Sequence, residues 1–330
     1  MIAEEDIAHS PAWLPLEVDA TAVKLLCLNE AAYRAASFLD QRILSLGYEQ
    51  QACTVATLQA AAARLARRAQ YVFHIGHVGS TLISRLIGEH PQLFSLREPA
   101  LLRTIAAGYS EGSGVPDLSL ALALFSRTWR PCQRAVIKVT SFVSELAETI
   151  LAGAERPAAI FVFAQPLPYL QGILAGPNSR VETRQLVPAR LQRLARRFMQ
   201  SGWRPEVRSE GEYIAMSWLC EMTALQQAAR RVGRQVLWVD FDVFLAGPVA
   251  ALEAILRTLG VSAAAAEIEA LVTGPLMRQY SKAPEYAYDA SLRRQVLESA
   301  DREHHTEISR GMDWLQKAAV HDPLMQEAFG

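Results

Sequence analysis

The run Phe73-His74-Ile75-Gly76-His77-Val78-Gly79-Ser80-Thr81-Leu82 sets two glycines and then two hydroxyls between an apolar stretch and a helix-like one. Glycine lets the backbone approach an anion closely, and the open N–H groups and dipole of a helix start then hold it. Gly76, His77, Val78, Gly79, Ser80 and Thr81 are therefore the candidate phosphate-binding residues. A nucleoside triphosphatase needs G-x-x-x-x-G-K-[ST], where Lys reaches the outer phosphates and the hydroxyl holds magnesium. Here two residues separate the glycines and no Lys stands between Gly79 and Ser80, so the loop suits a shorter anion without a γ-phosphate. A plain packing turn between strand and helix is the alternative.

These residues need elements to place them. Tyr71 to Ile75 reads as a strand, and Ser80 to Glu89 as a helix stopped by His90-Pro91. Strand and helix signals then alternate: Leu93 to Leu96, a helix from Leu118 to Arg127, Ala135 to Val139, a helix near Val143 to Leu151, and Ala159 to Ala164. A later strand, Gln235 to Val239, precedes a helix from Val249 to Leu259 that Gly260 can cap. Apolar strands separated by helices predict an α/β fold: three layers, a mostly parallel sheet flanked by helices, with a P-loop-like strand, loop and helix. Ligands on such sheets bind at the carboxyl ends of the strands, where Lys138 also ends its strand. The first 70 residues are rich in Ala and Leu, with Val23, Leu26, Cys27, Ala31 and Ala32 at helical spacing and Gly47 as a stop. They predict a helical preface, residues 1–70, packed on a main domain of residues 71–330 with a polar, Arg-rich insertion at about 175–211.

The loop followed by Arg97-Glu98-Pro99 at the next strand end resembles the signature of the sulfotransferases. Ala135-Val136-Ile137-Lys138 is similar to that family's third strand, Trp218 to its helical tryptophan, and Val236 to Asp242 with Leu259-Gly260 to its closing strand and helix. The resemblance covers residues 70 to 290. It implies a sulfuryl donor, 3′-phosphoadenosine 5′-phosphosulfate, as co-substrate, and transfer to a hydroxyl or amine of a small-molecule, glycan or peptide acceptor. No metal is expected.

The chain departs from the pattern in three places. His77 stands where the family has Lys or Arg. Ala164 and Gly172 stand where the family places the Arg and Ser that grip the 3′-phosphate. A hydrogen bond to a charged group is worth about 1.5–3 kcal/mol, so basic substitutes are needed, and Arg180, Arg278 and Lys282 are the candidates. Sulfuryl transfer, like phosphoryl transfer, needs charge neutralised on equatorial oxygens. A protonated His77 could do that, Glu98 could accept the acceptor's proton, and Lys138 completes the candidate catalytic set. His74 reads as a core histidine pointing into the sheet. Arg190, Arg193 and Arg197 share one helical face, most simply a solvated one.

Composition narrows the setting. With 51% hydrophobic and 20% charged residues, the chain has enough apolar surface to fold. A formal net charge of −1 offers no bulk attraction for nucleic acid or anionic lipid. Cys27, Cys53, Cys132 and Cys220 are scattered, with no zinc-type spacing. An acidic start, Glu4-Glu5-Asp6, and the lack of a long apolar run predict a cytoplasmic protein with no membrane span. Two further readings stay open: a non-catalytic nucleotide- or partner-binding descendant of the fold, and a divergent P-loop kinase using Asp240 for magnesium.

Overall fold

The computed structural model describes residues 2–19, 21–111, 117–152, 157–233, 236–283 and 285–329, with the side chains of 109–111 left aside. Strands β1 (Trp13–Val18), β2 (Ala22–Cys27) and β3 (Gln50–Thr54) form one antiparallel sheet in that order. The second sheet holds β4 (Gln70–His74), β5 (Leu93–Arg97), β6 (Arg134–Lys138), β7 (Ala159–Phe163) and β8 (Val236–Asp240). Its order is β5-β6-β4-β7-β8, and every pairing is parallel. The predicted α/β architecture is the observed one.

The parallel strands are near-continuous apolar runs because helices cover both of their faces. Val72, Phe73, Val136, Ile137, Ile160 and Phe161 are all fully buried. The strand order locates the ligand edge. From the central β4 the chain builds β5 and β6 on one side, then crosses to build β7 and β8 on the other. That reversal opens a crevice at the carboxyl end of β4, where the loop 75–79 lies.

The helical preface is corrected by the three-stranded sheet. Val23, Leu26 and Cys27, read as one helix face, lie on β2. As the middle strand, β2 buries side chains on both faces. Val23 and Leu25 pack with Ile7, Leu58 and Leu124, while Leu26 joins Leu14 and Leu16 in the main core. Burial on both faces erases the alternation that marks a half-exposed strand. Gly47 does end a helical turn, the short Gln41–Leu46, at φ +72°. Two buried arginines fasten the N-terminal segment to the rest. Arg97 donates to the Ala36 carbonyl at 2.7 Å and the Arg34 carbonyl at 2.9 Å; Arg127 donates to those of Ser10 at 2.7 Å and Trp13 at 2.9 Å.

The Arg-rich insertion folds as helices Pro177–Gln185 and Val187–Arg197, ahead of a long central helix, Glu210–Val232. Arg190, Arg193 and Arg197 are turned away from solvent, whereas Arg184, Arg196 and Arg208 are exposed. Arg190 Nε donates to Glu221 Oε1 at 2.9 Å, and Arg193 grips Glu221 through Nη1 at 3.0 Å and Nη2 at 2.8 Å. Arg193 Nε also reaches Glu145 at 2.8 Å, and Arg197 pairs with the same carboxylate. The partners lie on the central helix and on the segment after β6, so charge on the insertion helix reads as solvated until those partners are placed. The central helix crosses the C-terminal helix Ala290–Ala319 at Gly211, where a Cβ would fall 1.8 Å from the Glu307 carbonyl oxygen.

Candidate active site

The turn after β4 is tight: Gly76, His77 and Gly79 sit at φ +90°, +55° and +67°. The left-handed region is costly for His77, and such strain concentrates at functional loops. Gly79 is required twice over, because a Cβ there would lie 1.9 Å from the Phe241 ring. The helix Ser80–Glu89 begins at Gly79 without a side-chain cap, so its first N–H groups stay open. They face a cavity of about 250 Å³. Thr81 is buried on the same wall, and its Oγ1 has no hydrogen-bond partner among the described residues. Open N–H groups, a positive helix end and an unused hydroxyl make an anion cradle.

The opposite wall comes from the ends of β5 and β6. Arg97 and Lys138 are register partners, and the next residue, Glu98, turns back at φ +54° with its N–H donating to the Lys138 carbonyl at 2.6 Å. That turn brings the Glu98 carboxylate onto the Lys138 ammonium. Lys138 is fully buried; burial lowers its pKa and the Glu98 charge opposes this. His74 ends β4 with Nδ1 accepting the Gly76 N–H at 3.0 Å and Nε2 standing 3.8 Å from Glu98 Oε1.

His77 occupies the rim, with Nδ1 3.1 Å from Ser179 Oγ and Nε2 3.3 Å from Glu182 Oε2. Burial lowers its pKa and favours the neutral ring, partly offset by the hydrogen bond and charge of Glu182. The expected protonated His77 therefore depends on what binds. Across the cavity, Lys282 and Arg293 supply positive charge. Arg293 is held by Asp242 through Nε at 2.6 Å and Nη2 at 3.0 Å and stacks 4.9 Å over Phe241. Tyr280 and Tyr288 meet edge-on at 5.6 Å between centroids on the same wall.

The cavity thus gathers His77, Val78, Gly79, Ser80, Thr81, Glu98, Lys138 and Lys282 from the sequence-based candidates. Three others fall elsewhere. The Gly76 N–H turns inward to His74, so Gly76 shapes the loop without lining the cavity. Arg180 and Arg184 share Glu210 on the central helix, and that pairing draws Arg180 away. Arg278 is exposed outside the lining, and its carbonyl accepts the Tyr288 N–H at 3.1 Å. Gly172 lines the cavity without a polar group, and buried Ala164 gives its carbonyl to Trp218 Nε1 at 2.9 Å. Sequence reasoning took His74 for a core histidine, where it also lines the cavity, and missed Phe241 and Arg293. His74 had a signal, since it is the last residue of the strand feeding the loop. Arg293 had none, because its place depends on Asp242, far off in sequence.

Among the described residues, no three or more His, Cys, Asp or Glu side chains converge as a metal site, and no helix is long and apolar enough to cross a membrane. No family model matches the chain, and no curated protein matches it. The chain is similar to solved sulfotransferase structures. A sulfotransferase domain from the curacin biosynthetic pathway is 14% identical, with 75% of this chain and 97% of that one covered at a TM-score of 0.43. A sulfotransferase from Alicyclobacillus acidocaldarius is 14% identical, covering 78% and 98% at 0.40. A mouse sulfotransferase complexed with PAP is 12% identical, covering 82% and 92% at 0.43. Both identity and TM-score are low, and the functional reading rests on the site itself.

Proposed function

We propose that the chain is a sulfotransferase moving a sulfuryl group from 3′-phosphoadenosine 5′-phosphosulfate to a hydroxyl or amine of an acceptor. The observation that carries this reading is one cavity holding both an anion cradle without the triphosphatase Lys and a carboxylate on the facing strand ends. The helix N-terminus and Thr81 hold the 5′-phosphosulfate. Lys282, with Arg293 behind it, takes the 3′-phosphate in place of the side chains absent at Ala164 and Gly172. Glu98 accepts the acceptor's proton as its oxygen or nitrogen bonds to sulfur and the bond from sulfur to the bridging phosphate oxygen breaks. Lys138 holds that carboxylate in place, and His77, which takes up a proton from solvent as the anion binds, neutralises charge at the loop. All four cysteines are free, which suits a reducing cytoplasmic setting.

The kinase alternative is less well supported, because Asp240 does not line the cavity and its Oδ1 caps the helix Phe241–Ala246 by accepting the N–H groups of Asp242 at 2.8 Å and Val243 at 3.3 Å. The proposal is tested by incubating the chain with sulfur-radiolabelled donor and pools of phenols, amines, glycans and peptides. Label appearing in one pool, with release of 3′-phosphoadenosine 5′-phosphate, supports it. Nucleotide binding with no transfer to any pool points to the non-catalytic reading instead.

A further inference from the structure

His74 closes the central strand at the floor of the cavity and is 5% exposed. Its ring is satisfied on one side only. Nδ1 accepts the Gly76 N–H, which in a neutral imidazole leaves the proton on Nε2. Burial, reinforced by Lys138 and Lys282, holds its pKa well below the ordinary value, so the ring is neutral. Nε2 makes no hydrogen bond of good geometry among the described residues: the Val139 carbonyl acts on the ring and favours its protonated form without satisfying Nε2, and the 3.8 Å to Glu98 Oε1 is too long for a bond. A buried N–H left unpaired is costly, and one bordering the cavity is placed for an incoming oxygen.

We propose that His74 is a further catalytic residue whose Nε2–H donates a hydrogen bond to a non-bridging oxygen of the sulfuryl group during transfer. The inference rests on the sulfuryl-transfer reading above. Glu98 takes the acceptor's proton, the new bond to sulfur forms, and the bridging phosphate oxygen leaves with the electron pair of the broken bond. His74 transfers no proton in this step; its N–H steadies the equatorial oxygen charge from the side opposite the helix N-terminus. A neutral ring suits that task, because an imidazolium would set a second cation on Glu98 beside Lys138 and weaken it further as a base.

Two substitutions separate this role from support of the loop. The His74→Asn oxygen can still accept from Gly76 but the side chain is too short to donate at Nε2, whereas the His74→Gln amide can donate there and loses the Gly76 contact. Calorimetry compares each variant with wild type for the phosphosulfate nucleotide and for its desulfated product, 3′-phosphoadenosine 5′-phosphate. We expect His74→Asn to bind the phosphosulfate nucleotide roughly tenfold more weakly with the product unaffected, and His74→Gln to bind both as wild type does. Equal weakening of both nucleotides by His74→Asn, or no change in either, overturns the proposal. In wild type the His74 Nε2 proton resonance should move on adding the phosphosulfate nucleotide and not the product, and an unmoved resonance overturns it even where a variant fails to fold. Wild type that binds neither nucleotide brings down the sulfotransferase reading and this inference with it. Wild type that binds both, with the wrong variant pattern, brings down the inference alone.

Discussion

The Glu98 carboxylate and the Lys138 ammonium meet at the ends of neighbouring parallel strands, and the Glu98 N–H also donates to the Lys138 carbonyl. Backbone and side chain together fix the carboxylate on the cavity wall facing the phosphate loop. A buried lysine needs such a partner, since an uncompensated charge there is strongly destabilising.

Glu98→Gln keeps an oxygen for Lys138 but cannot take a proton. Transfer to the acceptor found by the labelled assay should fall by about 10²- to 10⁴-fold, the range for a lost general base, with nucleotide affinity unchanged. An equal loss of nucleotide binding would show that Glu98 holds the donor instead.

His77 gives a pH dependence of defined sign. Burial lowers its pKa in the free protein, and a bound anion favours the protonated ring. Binding of 3′-phosphoadenosine 5′-phosphate should therefore take up a proton, be strongest at acid pH and weaken as pH rises through the pKa of the bound state. Calorimetry in buffers of different ionisation enthalpy reads the uptake directly, and His77→Asn should abolish it.

Gly79→Ala drives a methyl into the Phe241 ring and forces a side chain onto φ +67°. Loss of nucleotide binding and a fall of at least about 2 kcal/mol in unfolding free energy are expected, by urea titration. A variant as stable as wild type would contradict the packing of Phe241 against the loop.

The Glu221 network sets acid stability. Burial alone would raise the Glu221 pKa, but Arg193 and Arg190 reverse this and bring it down to about 2. A carboxylate lowered from its ordinary value of 4.5 adds stability above that pH and loses it as pH falls toward 2. Glu221→Gln should flatten the stability profile across that window and cost roughly 3–5 kcal/mol at neutral pH, since buried Arg190 loses its carboxylate and buried Arg193 is left with Glu145 alone.

Much of the site was legible in sequence because it is local: the loop from Gly76 to Thr81 carries its strand, turn and helix in one short run, and Glu98 and Lys138 each end an apolar strand. What was not legible depends on partners far off in the chain. Arg190 and Arg193 read as a wet face because Glu221 lies on another helix. Arg180 read as a nucleotide contact because Glu210, its partner, starts the central helix beyond the intervening helix Val187–Arg197. The strand β2 read as helix because it buries residues toward two cores at once.

Titration calorimetry of 3′-phosphoadenosine 5′-phosphate, beside adenosine 5′-phosphosulfate and ATP with magnesium, tests the sulfuryl-donor site most directly. Wild type should prefer the 3′-phosphorylated nucleotide, and Lys282→Ala should weaken that binding by roughly tenfold to a hundredfold. A preference for ATP with magnesium, or no binding of any of the three, would contradict a sulfuryl-donor site in this cavity.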